Sequence, residues 1–229
     1  MKKILILAMA MAMGAAAYGQ YAFNGTNSTI NTIPDNNPSG VASTITVPTL
    51  AAQIANVTVT LDITGGYNGD IYAYLAGPNS GFAVLLNRSG VSGSSAYGYG
   101  DSGFDVTFDD SGSNPDIHFY QTAVNPNGGV SGGVVSGDWG SDGENINPQS
   151  SPGSFPVGAT ATLASFEGID GSDAAGQWTL FLADLAAGNQ STLVSWSVDI
   201  TTVPEPSTLA LGAMGIVLLA FRNKITKRK

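Results

Sequence analysis

The sequence predicts an all-β domain, a jelly-roll-like β-sandwich, set between two terminal segments of different character. Three observations predict it. Apolar and polar residues alternate with period two in several short runs, as in half-buried strands. Clusters rich in Gly, Pro, Asn and Ser punctuate those runs at 65–69, 77–81 and 187–189. No stretch inside the domain sustains the 3.6-residue period of an amphipathic helix. Many short strands joined by such turns fit a sandwich or jelly roll.

The elements follow in order. Residues 43–47 form a short candidate strand. Val57, Val59, Leu61 and Ile63 alternate with Thr58, Thr60 and Asp62, a half-buried strand rich in β-branched residues. Ile71, Ala73 and Leu75 alternate with Tyr72 and Tyr74. Shorter candidates follow at 82–86, 104–108, 117–120 and 160–166. Asp170-Gly171-Ser172-Asp173 with the following Ala-Ala-Gly reads as a helical turn or an open loop. Trp178, Leu180 and Leu182 alternate with Thr179, Phe181 and Ala183, and Val194, Trp196, Val198 and Ile200 with Ser195, Ser197 and Asp199. Two tracts, 89–102 and 125–158, are loop-like; the second is long enough to imply a functional or mobile surface loop.

Charge separates this middle from the ends. Of eight Lys and Arg, only Arg88 lies between residues 20 and 203, against sixteen of the seventeen acids, so that stretch carries a formal charge near −15. Such a surface repels nucleic acid and anionic lipid and is compatible with divalent cations. With no cysteine, disulfides, thiol catalysis and thiolate metal sites are excluded.

Residues 1–19 read as a secretory signal: Lys2 and Lys3, a short apolar run, then Ala17-Tyr18-Gly19 with small residues at −3 and −1. Residues 20–32 form an N-terminal extension and 33–202 the sandwich. At the other end stand Val203-Pro204-Glu205-Pro206-Ser207, an apolar run from Leu209 to Phe221, and a basic tail from Arg222. The run predicts a single transmembrane helix when extended back towards Thr201, with the basic tail inside.

That tripartite end resembles the PEP-CTERM sorting signal. The resemblance makes Pro204, Glu205 and Pro206 the residues recognised by an exosortase, a membrane cysteine peptidase. It also implies a Gram-negative host, often one making exopolysaccharide. The middle resembles the P domain (P/Homo B) of proprotein convertases, through Ile33-Pro34-Asp35-Asn36-Asn37-Pro38, Gly69-Asp70-Ile71, Gly77-Pro78-Asn79-Ser80-Gly81, Phe108-Asp109-Asp110, Gly176-Gln177-Trp178-Thr179-Leu180 and Val194-Ser195-Trp196-Ser197. The resemblance implies an eight- or nine-stranded jelly roll that stabilises a subtilisin-like catalytic domain. The 125–158 tract departs from that pattern, and a serine endopeptidase label would rest on the family alone.

Chemistry-bearing residues are sparse. His118 is the only histidine, in an apolar run with no nucleophile elbow, and reads as a structural or surface residue. Asp109 and Asp110 are adjacent, so on a strand they face opposite sides and cannot flank one glycosidic bond. A single histidine without cysteine gives too few His or Cys ligands to suggest zinc. Calcium is the one cofactor expected, since oxygen-rich loops suit it. Its candidate ligands are Asp101 with Asp105, Asp109 with Asp110 and Asp116, and Asp138 with Asp142 and Glu144. Tyr97 and Tyr99 are candidate ligand-binding aromatics, and Tyr72 and Tyr74 share one strand face that is either a platform or packing. The expectation is an exported, non-catalytic surface or matrix protein. The alternatives are a carbohydrate-binding module and an accessory module of a subtilisin-like protease.

Overall fold

Alternation becomes burial wherever β-branched or large apolar residues set the rhythm. The computed structural model describes residues 18–25, 32–124 and 133–203. Nine strands run through them: β1 (Gly19–Asn24), β2 (Val41–Val47), β3 (Ile54–Gly65), β4 (Ile71–Ala76), β5 (Phe82–Asn87), β6 (Gly103–Asp109), β7 (Val135–Trp139), β8 (Gly176–Asp184) and β9 (Ser191–Thr202). One five-stranded sheet has the order β1-β9-β3-β6-β7 and a four-stranded sheet the order β2-β8-β4-β5. All pairings are antiparallel except β6 with β7. The all-β sandwich expected from the sequence is therefore present.

One core joins the two sheets. Val57, Val59, Leu61 and Ile63 of β3 meet Trp178, Leu180 and Leu182 of β8 in the same buried cluster. Burying each such side chain contributes roughly 1.5–3 kcal/mol. The Trp196 indole on β9 donates to Ser43 Oγ on β2 at 2.9 Å, a polar tie between the sheets that satisfies a buried N–H. Trp178 stacks on Phe166 with ring centroids 4.7 Å apart and donates to the Ala174 carbonyl at 2.9 Å.

Two expected strands are not strands. Residues 117–119 form a 3-10 turn that runs into the short helix α1 (Tyr120–Val124). The cause is local: Asp116, following Pro115, accepts the His118 N–H at 2.8 Å and caps the turn. The 160–166 run ends in another 3-10 turn, Leu163–Phe166. There the buried residues Leu163 and Phe166 are three apart, a period that a strand cannot use. Val194 is 48% exposed, because the β3–β9 register shifts between Asp62/Ser195 and Ile63/Leu193. Leu193 takes the core position instead, as a bulge requires. The 170–174 segment is a turn, with the Ala174 N–H on the Asp170 carbonyl.

Two strands carry no clear sequence signal. The 20–32 extension contributes most of β1, an edge strand paired to β9 with Gly19 opposite Thr202. The 125–158 tract contributes β7 and then crosses to the other sheet. Beyond β7, Asp142 and Gly143 donate to the Leu85 and Val84 carbonyls, and the Val84 N–H reaches Ala161 O. The open edge of β5 is thereby covered, which protects it from pairing with another chain. Arg88 (φ +55°) donates to the carbonyls of Gly69, Pro148 and Ala96, fastening three loops with one guanidinium.

Among the described residues no helix is long and apolar enough to cross a membrane. The predicted signal peptide, apart from Tyr18 and Gly19, lies outside the described residues, and so do Pro204, Glu205 and Pro206 and the predicted span.

Candidate functional site

The crossing segment creates the most unusual chemistry in the sandwich. A parallel bridge joins Asp116 to Gly140, with Ile117 N–H on Gly140 O and Gly140 N–H on Pro115 O. This fixes the capped turn that carries His118 beside the stretch that carries Asp142 and Glu144. Gly143 (φ +67°) turns the chain between the two acids; a Cβ there would stand 2.6 Å from Ala159 Cβ.

His118 and Asp142 are fully buried, and Glu144 nearly so. His118 Nδ1 lies 2.9 Å from Asp142 Oδ2, and Nε2 lies 3.0 Å from the Val91 carbonyl. The Asn87 N–H donates to Asp142 Oδ2 at 3.0 Å, and the Glu144 N–H to Asp142 Oδ1 at 3.3 Å. Val157 N–H donates to Glu144 Oε1 at 3.1 Å. Asn87 Nδ2 holds the carbonyls of Glu144 and Ile146. Phe155 lies parallel to the imidazole with centroids 6.4 Å apart, and Phe119 meets it edge-on at 4.9 Å.

Burial alone would lower the His118 pKa. The hydrogen bond and charge of Asp142, helped by Glu144, outweigh it and raise the imidazole to about 9. Burial pushes Glu144 up, and the neighbouring Asp142 adds to this against the pull of His118. Burial likewise pushes Asp116 up to about 7, against the His118 N–H bond.

A carboxylate on Nδ1 is half of a catalytic triad, but the other half is not built. The nitrogen that would take a proton from a nucleophile, Nε2, is spent on Val91 O, and the ring has no exposure. The pair joins the capped turn to the crossing segment.

The structure separates the other candidates. Asp110 accepts from Ser141 N, Ser141 Oγ and Leu163 N, each at 2.7 Å, pinning the crossing segment to the end of β6. Asp109 turns to Asn56 and Ser111. Asp101 accepts from the Tyr120 hydroxyl and Gln121 Nε2. Asp105 is exposed on β6 opposite Asp62, and Asp138 is exposed on β7, while Asp142 and Glu144 are sealed inside. Tyr97 is 74% exposed, whereas Tyr99 packs its ring edge-on against Tyr120. Asn87, the Val91 carbonyl and the pairing of His118 with Asp142 were not expected from the sequence. The Pro115-Asp116 pair before the histidine was the available signal for a capped turn.

Two further features lie away from that cluster, the first on the strand face shared by Tyr72 and Tyr74. On the outer face of the four-stranded sheet, Tyr74 stacks on Phe181 at 4.8 Å and contacts Phe82 at 5.2 Å and Tyr72 at 5.8 Å. These half-buried rings form one aromatic strip. At the end of β8, Asp184 is pushed up to about 6, chiefly by burial, with Asp70 and Asp35 adding to the effect against the Ala186 N–H. An acid whose folded pKa exceeds its unfolded one stabilises the fold below the unfolded value, near 3.8, and loses that contribution as pH rises through about 6. Asp184→Asn is expected to be more stable than the parent at pH 7 by about 1–3 kcal/mol, with the gap closing by pH 4. Urea unfolding of both proteins across that range measures it.

Comparison with known proteins adds information at the C-terminus. Residues 202–225 match the family described as the PEP-CTERM protein-sorting motif. The chain carries this sorting signal. The motif implies export, membrane-associated processing in Gram-negative bacteria and recognition by an exosortase-type enzyme. No curated protein matches the sequence. Two solved structures are similar: the serine protease of Aeromonas sobria in complex with its chaperone (15% identity, TM-score 0.44) and the same protease alone (13%, 0.42). The matches cover 82% and 84% of this chain but only 27% and 28% of those chains.

Proposed function

We propose that this is a non-catalytic cell-surface or extracellular-matrix protein whose sandwich is an adhesive or structural module, held by the C-terminal segment until an exosortase-type enzyme processes it. The sorting motif carries this reading, together with where it begins. Thr202 is both the last residue of β9 and the first of the matched motif. Val203 N–H is fastened to Gln53 O at 2.8 Å. A cut at or beyond Pro204 therefore leaves all nine strands of the described residues intact. Replacing Pro204, Glu205 and Pro206 together with alanine is expected to leave the uncut precursor in the membrane fraction of the native host. Unchanged release of the mature form, read by mass spectrometry of cell fractions, would count against the proposal.

A second reading, binding of exopolysaccharide, is favoured by the aromatic strip around Tyr74, since sugar rings stack on such faces. A pull-down with the host's own polysaccharide separates it from a purely structural role.

A further inference from the structure

We propose that His118, Asp142 and Glu144 form a binding site for one divalent cation of the zinc or manganese class. Each offers one ligand atom, and these atoms lie within 4.8 Å of one another. The Val91 carbonyl can only accept, so Nε2 of His118 carries a hydrogen. Nδ1 then points a lone pair at Asp142 Oδ2, which is also an acceptor. A cation must lie between them, either a proton or a metal.

A proton serves only two of the three groups. It leaves Glu144 Oε2 buried without a hydrogen-bond partner and a second carboxylate in a site closed to water. Asn87 Oδ1, on the residue whose amides hold Asp142 and Glu144, is also buried without a partner. Unsatisfied buried oxygens are costly and are characteristically explained by a bound ion or water. A divalent cation balances both carboxylates against a neutral imidazole.

The surrounding bonds are those a metal site uses. The Nε2–H bond to Val91 O fixes the tautomer that frees Nδ1 for ligation. The N–H groups of Asn87, Glu144 and Val157 orient the two carboxylates. One imidazole nitrogen among carboxylate oxygens suits zinc or manganese, whereas calcium prefers oxygen alone. The site thus differs from the calcium cluster expected at Asp138, Asp142 and Glu144: Asp138 stands outside and His118 takes its place. The ion would pin the turn after β6, the end of β5 and the crossing segment to one point.

The test uses the full-length chain in detergent, stripped with a chelator and titrated separately with Zn²⁺, Mn²⁺ and Ca²⁺. One zinc or manganese per chain after gel filtration is expected by elemental analysis. His118 is the only histidine, so zinc should shift the only side-chain imidazole NMR signal of the chain. Glu144→Gln should weaken affinity about tenfold or more with unchanged circular dichroism. The proposal is overturned if neither zinc nor manganese is retained, if the imidazole signal does not move with zinc, or if a folded Glu144→Gln protein binds as tightly as the parent. Retention of calcium alone also overturns it. Should the variant not fold, the imidazole signal of the parent decides.

Discussion

Asp142→Ala is expected to lower the stability of the sandwich by about 3–5 kcal/mol, the range for breaking one partner out of a buried ion pair. The reason is a chain of dependencies. His118 has no exposure, and Asp142 Oδ2 is the partner of its Nδ1. The Asn87 and Glu144 N–H groups also end on that carboxylate. Alanine strands three groups at once, in the segment that covers the β5 edge. Asp138→Ala provides the contrast. Asp138 sits four residues away on the exposed side of β7, and its loss should fall within about 0.5 kcal/mol of zero. Parallel urea titrations of the two variants give the comparison directly. Equal effects would mean that the buried pair is not formed.

Trp178→Ala is expected to cost about 3–5 kcal/mol by emptying the middle of the core. The indole is fully buried on β8, stacked on Phe166 and bonded to Ala174 O. Its removal leaves both a cavity and a carbonyl without a donor. Phe166 belongs to a turn rather than to a strand, so the cavity also loosens the segment that follows the crossing. For a domain of this size the melting temperature should fall by roughly 10 °C, followed by circular dichroism. A fall of one or two degrees would show that the core closes over the gap.

The sandwich was legible where strands are buried on one face by branched or large apolar residues. β3 and β4 matched their alternation residue for residue, β8 did so up to Ala183, which is buried as well as Leu182, and β9 did so except at Val194. What escaped has physical causes. β1 is an edge strand with no fully buried residue in its pattern, so its sequence need not alternate strongly. β7 contains a glycine at φ +96° and pairs in parallel with a distant strand, which no local pattern reports. Residues 117–120 look like a strand because apolar residues outweigh the single Asp116 cap in any short window. The buried cluster was half visible. Asp142 and Glu144 were picked out as acids in a glycine-rich loop, yet their pairing with His118 depends on a crossing between sheets. Separating buried Asp142 from exposed Asp138 required the fold itself.

The pairing of Gly19 with Thr202 places the entrance and exit of the sandwich side by side. Any tension that reaches the domain through residue 203 is delivered to the end of β9. From Ser197 to Thr202 that strand is flanked by both β1 and β3. A tug along that half of it must shear two ladders together instead of peeling one rung at a time.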